Sequence, residues 1–151
     1  MVLGLCSKRY KPDTQNIHKK YGKNYHWMGS NFEIIKNIRL VDLIIPGSAN
    51  CGHYDCKDTH KNCQNLSVYD QLKLGIRYLD INIGPGVRNE MEDIYTIRED
   101  GTKGVRLLNI LAEVRAFFEP AINKQEILIM KFTDFKDLTQ DQKCFLVDSI
   151  V

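Results

Sequence analysis

The sequence predicts an α/β fold, because short apolar runs typical of buried strands alternate along the chain with longer amphipathic segments. The composition is that of an ordinary globular domain, with 43% hydrophobic residues, 26% charged residues and a formal net charge of +2. We predict strands near 40–45, 76–83, 93–98 and 126–132, and helices near 67–74, 105–118 and 139–151. These elements make about four strand–helix units.

The first strand is predicted from the apolar run at 41–45, which meets Pro46 and Gly47 and then small polar residues. The end of such a strand is where sheet and barrel enzymes hold reactive groups. Ala49 lies in the middle of this loop and can neither move a proton, bind a metal nor attack a substrate. The best-placed position of the loop is therefore chemically inert.

Two later elements carry architectural signals. Gly84, Pro85 and Gly86 are predicted to turn the chain after the second strand. The helix predicted at 105–118 has an apolar stripe that we expect to face the sheet. The residues of this stripe are Leu107, Leu108, Leu111, Val114 and Phe118.

The first 26 residues are predicted to form a basic leader, separate from a domain at 27–151. The basic residues are Lys8, Arg9, Lys11, Lys19, Lys20 and Lys23. We interpret this segment as solvated, and contact with anionic lipid or an acidic protein surface is the alternative. No apolar run approaches the roughly 18 residues that span a bilayer. We therefore expect a soluble chain without a transmembrane segment and without a nucleic-acid partner. The sequence leaves open the compartment, attachment to a membrane surface and membership of a larger assembly.

Thiol and imidazole groups are concentrated after the first loop, at Cys51, His53, Cys56, His60 and Cys63. Such groups bind zinc, but their spacing lacks the paired short intervals of structural zinc sites. A disulfide between Cys56 and Cys63 is the preferred alternative in an oxidising compartment. We assign no chemistry to the two histidines.

Several short motifs occur in one order over most of the chain. They are Trp27-Met28, Ile45-Pro46-Gly47-Ser48, Gln64-Asn65-Leu66-Ser67-Val68-Tyr69-Asp70-Gln71-Leu72, Gly75-Ile76-Arg77-Tyr78-Leu79-Asp80, Leu107-Leu108-Asn109-Ile110-Leu111 and Glu126-Ile127-Leu128-Ile129-Met130. This set resembles the X domain of phosphatidylinositol-specific phospholipase C (PI-PLC), from the PLC-like phosphodiesterase superfamily of lipid metabolism, in register from roughly residue 27 to the end. The resemblance implies a TIM-like (β/α) barrel.

The family cleaves a phosphodiester by directing the inositol 2-hydroxyl at phosphorus, with one histidine as general base and a second as general acid. The resemblance places Ala49 at the position of the base and Asn50 at that of the carboxylate that often follows it. Asn82 stands at the position of a phosphate-neutralising arginine, and Arg98 is the nearest counterpart of the acid histidine. No catalytic position is therefore intact.

The eukaryotic branch of the family holds calcium near the same strand ends. Only Asn50 and Asp80 fit its ligand positions, since Tyr78 and Lys131 stand near the others. Two oxygen ligands do not make a calcium site, so we expect neither calcium nor another cofactor. Asn50, Asp80 and Lys131 form the candidate residual pocket, in which Lys131 pairs with Asp80.

The chain is short for a complete barrel, which needs at least about 200 residues. Its 151 residues supply roughly the first half. Apolar residues such as Phe145, Leu146 and Ile150 still follow one another where the sequence stops, which predicts truncation at the C-terminus. The edges of a half barrel need covering by a protein partner, by self-association or by a missing segment of the chain.

Three hypotheses for function remain. The preferred one is a pseudoenzyme, a catalytically silent domain kept as a binding or structural assembly module. The second is a divergent phosphoric diester hydrolase of the phospholipase C type, acting on phosphoinositides or glycerophosphodiesters. The third is an enzyme inactivated by engineering at Ala49, which leaves Asn82 and the missing second histidine unexplained. Each lost proton-transfer group removes about 10²–10⁴-fold in rate, so combined losses weigh against activity.

Overall fold

The computed structural model describes residues 2–3, 22–56 and 59–150 of the chain. These residues form a mixed sheet with helices packed on it. The strands are β1 (Val2–Leu3), β2 (Gly47–Ser48), β3 (Tyr78–Arg88), β4 (Met91–Ile97), β5 (Lys103–Arg106) and β6 (Leu128–Thr133). The α-helices are α1 (Trp27–Ser30), α2 (Phe32–Ile35), α3 (Val68–Lys73), α4 (Leu107–Phe118) and α5 (Gln140–Ile150).

Strand β3 organises the sheet. Its first half is parallel to β2 on one side and to β6 on the other, and its second half is antiparallel to β4, which continues to β5. Strand β1 lies antiparallel on the far edge of β6, with Val2 opposite Ile129. The parallel part and its helices are half of a barrel, so the predicted α/β half barrel is confirmed.

Side chains alternate along β3 and separate the core from the site. Leu79 and Ile81 are buried in the core with residues of α3 and α4, whereas Asp80 and Asn82 lie on the opposite, half-buried face. The alternation between the two faces follows from strand geometry, because successive side chains of a strand point to opposite faces. The half-buried face collects the polar residues of the parallel strands.

The strand predicted at 40–45 is wrong. A 3₁₀ turn occupies Leu40–Asp42, and only Gly47–Ser48 pairs with β3. The side chains of Val41 and Ile44 are 84% and 96% exposed. Within the described part of the chain, β2 pairs with β3 alone, so the segment before it has no outer neighbour with which to complete a strand.

The turn predicted at Gly84 to Gly86 is also wrong, because these residues lie inside β3. The chain reverses instead at Asn89 and Glu90, both with positive φ, as in the two-residue hairpin turns whose twist matches the strands. Gly86 serves packing, since a Cβ there would lie 2.2 Å from Cδ2 of Tyr95.

The three predicted helices are present with shifted ends. Ser67 caps α3 by accepting a hydrogen bond from the backbone N–H of Asp70. Residues 103–106 form β5, so α4 starts two residues later than predicted. The apolar stripe of α4 is rotated relative to the prediction. Its buried residues are Leu107, Ile110, Val114 and Phe117.

A buried ion pair joins the starts of β3 and β6. The side chains of Arg77 and Glu126 are both fully buried, and Arg77 Nε donates to Glu126 Oε2 at 2.7 Å. The other guanidinium nitrogens donate to three backbone carbonyls, including that of Tyr25, and the face of the group lies over the ring of Phe117. The pair therefore ties the segment before α1 to the sheet, at the end opposite the site.

Candidate functional site

A polar cavity opens at the carboxyl ends of β2 and β4 and of the parallel half of β3. Its volume is about 320 Å³. Its lining residues are Asn50, Asn82, Arg98, Glu99 and Asp100. In barrels this end of the strands carries the active site. The cavity is called the strand-end pocket below.

The loop after β2 brings Asn50 to the pocket. Asn50 has φ of 49°, a left-handed conformation that asparagine tolerates better than most residues. Gly52 follows in contact with β4, where a Cβ would lie 2.4 Å from the methyl carbon of Thr96. The Thr96 hydroxyl donates to the Gly52 carbonyl at 3.1 Å. Small residues in this loop thus let it press against the sheet.

Asn82 is fixed as a neutral bridge across the strand ends. Its amide nitrogen donates to Asn50 Oδ1 at 3.4 Å, and its oxygen accepts a hydrogen bond from the Thr133 hydroxyl. Thr133 is the register partner of Asn82 in β6. The position at which the resemblance implies an arginine therefore has no charge, and its amide is held by protein partners.

The Asp80–Lys131 pair lies on the same two strands, β3 and β6, two residues before Asn82 and Thr133. Lys131 Nζ is 3.2 Å from Asp80 Oδ1, as expected from the sequence. The nearby carboxylate raises the pKa of Lys131. Neither side chain lines the strand-end pocket, so only Asn50 of the candidate residual pocket does. The one carboxylate among the calcium positions that the resemblance implies therefore faces an ammonium group, and the expected absence of calcium stays a prediction.

Ala49 and Arg98 differ in their relation to the pocket. Ala49 is exposed and outside the lining, and its carbonyl accepts a hydrogen bond from Gln64 Nε2 at 2.8 Å. Arg98 lines the pocket, and its Nη1 donates to the Lys61 carbonyl at 3.2 Å. Arg98 is therefore the cation of the pocket.

Sequence reasoning missed two acidic residues of the pocket, Glu99 and Asp100. Both follow β4 in a tight turn, where Asp100 accepts a hydrogen bond from the Thr102 backbone at 2.9 Å. Hydrogen bonds from Thr102 hold the pKa of Asp100 below its ordinary value. The available sequence signal was Asp100 followed by Gly, a pair typical of a turn at the end of a strand. Residues in such a turn lie at the carboxyl end of the strand, where the pocket opens.

No histidine of the described residues lines the pocket. His53 is 1% exposed and packs beside Gly104, where a Cβ would lie 3.1 Å from its Nδ1. His26 is buried elsewhere and His60 is exposed on the loop. His18 lies outside the described residues. Burial, and then the charge of Arg98, lower the pKa of His53.

This lowered pKa predicts a pH-dependent contribution of His53 to stability. The unfolded chain takes up the proton near pH 6.5, while the folded chain resists it, so the contribution is present above that pH and is lost as pH falls below it. We expect the stability difference between wild type and His53→Gln to shrink between about pH 7.5 and 5.5. Urea unfolding at both pH values measures it. The His60→Gln variant, at an exposed loop position, is the control, and equal pH slopes for wild type and His53→Gln would contradict the prediction.

The thiol and imidazole cluster is only partly assembled. Cys56 Sγ lies 3.8 Å from His53 Nδ1, and burial raises the pKa of the Cys51 thiol to about 12. Within residues 22–56 and 59–150, no three side chains of His, Cys, Asp or Glu converge as a metal site would require. The zinc alternative and the expected absence of cofactors stay predictions.

Curated proteins similar to this chain include PI-PLC X domain-containing protein 2 of mouse and of human. They are 25% and 26% identical over 82% of this chain. The chain spans 43% and 48% of their lengths, which is less than half. No family model matches the chain.

Solved structures give the same result for the fold. A phosphatidylinositol-specific phospholipase C of S. aureus superposes with a TM-score of 0.59 and 20% identity, over 82% of this chain and 41% of that one, as does a double mutant of the enzyme. The predicted resemblance to the PI-PLC X domain is therefore confirmed, and this chain contains a PI-PLC-like domain. Among the described helices, none is long and apolar enough to cross a bilayer.

Proposed function

We propose that this PI-PLC-like domain is catalytically silent and acts as a binding module whose strand-end pocket holds a polyol headgroup carrying one phosphate. The observation that carries the proposal is a pocket of about 320 Å³ that remains open while its lining combines two amides, one cation and two carboxylates. The pocket keeps a place for a ligand, whereas its residues are poorly suited to cleave one.

Cleavage of a phosphodiester needs one group that takes a proton and another that gives one. Asn50 and Asn82 can do neither, and Arg98 stays protonated at physiological pH. The lowered pKa of Asp100 keeps it ionised at neutral pH, so it is a poor proton donor. These properties support binding without turnover.

The same side chains suit a polyol. Amide and carboxylate oxygens accept hydrogen bonds from hydroxyl groups, and amide nitrogens donate to them. Arg98 can pair with one phosphate, because the planar guanidinium group can donate two parallel hydrogen bonds to two phosphate oxygens. Glu99 and Asp100 outnumber this cation, so the pocket suits a singly phosphorylated ring better than a highly phosphorylated one.

The test is calorimetric titration of the full chain with myo-inositol 1-phosphate and with myo-inositol. We expect Arg98→Ala to weaken binding of the phosphate by at least about tenfold, because a charge-assisted hydrogen bond is lost, and to leave myo-inositol binding nearly unchanged. Arg88→Ala, an exposed arginine outside the pocket, is the matched control. Absence of binding, or equal effects of both variants, would contradict the proposal.

The runner-up is a divergent phosphoric diester hydrolase. Glu99 and Asp100 favour it, because two carboxylates at the pocket could divide the base and acid roles.

A role in assembly draws support from a different surface, the segment before β2, where the apolar side chains of Val41 and Ile44 are exposed.

A further inference from the structure

A loop beside the pocket brings two reduced cysteines to one carbonyl oxygen. Cys56 Sγ lies 3.9 Å from the backbone oxygen of Lys61, and Cys63 Sγ lies 4.0 Å from the same oxygen. The sulfurs are therefore no farther apart than the sum of these distances. The backbone N–H of Cys63 donates to the His53 carbonyl at 2.8 Å and that of Cys56 to Asn62 Oδ1 at 2.9 Å, which holds both ends of the loop together.

The two thiols differ in a way that suits thiol–disulfide exchange. Cys63 is exposed and open to an external disulfide, whereas Cys56 is 4% exposed and lies 3.8 Å from His53 Nδ1. Exchange needs an accessible thiol that attacks first and a second thiolate that resolves the mixed disulfide. Burial and the charge of Arg98 lower the pKa of His53, so the imidazole is neutral near pH 7, and in the tautomer protonated on Nε2 its Nδ1 can accept the Cys56 proton.

We propose that Cys56 and Cys63 form a reversible disulfide by exchange with glutathione disulfide. The Cys63 thiolate attacks one sulfur of glutathione disulfide, forming a mixed disulfide and releasing one glutathione thiolate. Cys56 passes its proton to His53 and attacks the Cys63 sulfur, releasing the second glutathione thiolate. The two cysteines are oxidised, glutathione disulfide is reduced to two glutathione molecules, and these receive the two thiol protons.

The site is connected to the strand-end pocket. The Lys61 carbonyl that faces both sulfurs also accepts the hydrogen bond from Arg98 Nη1. Bond formation requires the sulfurs to approach to about 2.0 Å, and the 3₁₀ turn Thr59–Lys61, which carries this carbonyl, lies between the two cysteines in the chain. Oxidation of the two thiols therefore acts on the environment of Arg98.

The test incubates the full chain with glutathione mixtures and maps disulfides by peptide mass spectrometry. We expect wild type to lose two hydrogen atoms and to yield a peptide linking Cys56 to Cys63, and Cys56→Ser to stop with one glutathionyl group on Cys63. The control is Cys144→Ser, which removes an exposed thiol of α5 and should behave as wild type. Lasting glutathionylation of Cys63 in wild type, pairing with another cysteine, or no oxidation would overturn the proposal.

Two further measurements test its parts. His53→Gln should slow closure of the mixed disulfide by about tenfold, because an ordinary thiol is only a few per cent thiolate near pH 7; an unchanged rate would overturn the role of His53. The Arg98 side-chain signal in ¹H–¹⁵N spectra should differ between reduced and oxidised protein, and an invariant signal would overturn the connection to the pocket. Neither measurement depends on ligand binding, so their failure is distinct from failure of the proposed function.

Discussion

Glu126→Gln should lower the free energy of unfolding by about 3–5 kcal/mol, because it leaves Arg77 charged, buried and without its counter-charge. Both side chains are fully buried, and the second carboxylate oxygen of Glu126 also accepts a hydrogen bond from the Gly29 backbone at 2.7 Å. Burial raises the pKa of Glu126. Among the interactions that oppose this rise, the charge of Arg77 has the largest effect. Urea denaturation of the full chain, followed by circular dichroism, measures the loss.

The exposed Arg39–Asp42 pair provides the matched control. Its side chains are 79% and 46% exposed, so Arg39→Ala should change stability by less than about 1 kcal/mol. The double variant Arg77→Met with Glu126→Leu should recover part of the loss, since it removes both charges, although the carbonyls that Arg77 satisfied lose their donor. A loss below about 1 kcal/mol in Glu126→Gln would show that the pair does not hold the fold as described.

The sequence predicted those parts of the fold that depend on local pattern. The apolar residues of β3 and β6 are local signals, and the structure has these strands. The segment 40–45 has an equally apolar pattern, but a strand also needs a neighbour, and pattern alone does not supply one. The Arg77–Glu126 pair spans 49 positions and two elements, so no local motif announces it.

The site divides in the same way. The resemblance led to Asn50, Asn82 and Arg98, and the structure brings all three to one pocket. It could not lead to Glu99 and Asp100, because these follow β4 in a turn at which the resemblance implies no role for either residue. Nor could it show that Asn82 is held by Thr133, a contact set by the register of β3 against β6.

Phosphatidylinositol turnover by this chain should be at least about 10⁴-fold slower than that of the S. aureus enzyme, and Ala49→His alone should not restore it. A histidine at position 49 would supply one proton acceptor. The variant would still lack a proton donor. The phosphate would still face the neutral Asn82, whose amide is hydrogen-bonded to Asn50 and Thr133. Release of water-soluble inositol phosphate, with and without calcium, measures the rate.

Ala49→Gln is the matched control, because it adds a side chain of similar size without a titratable group. Equal, negligible rates in wild type, Ala49→His and Ala49→Gln support loss at several positions, since groups that act together cannot be restored singly. Recovery in Ala49→His alone would instead show that one position accounts for the silence. Turnover by wild type that is less than about 10⁴-fold slower than that of the S. aureus enzyme would contradict the silent-domain proposal, because the loss of two proton-transfer groups should cost at least that factor. Glu99→Gln and Asp100→Asn would then identify which carboxylate of the pocket moves the proton.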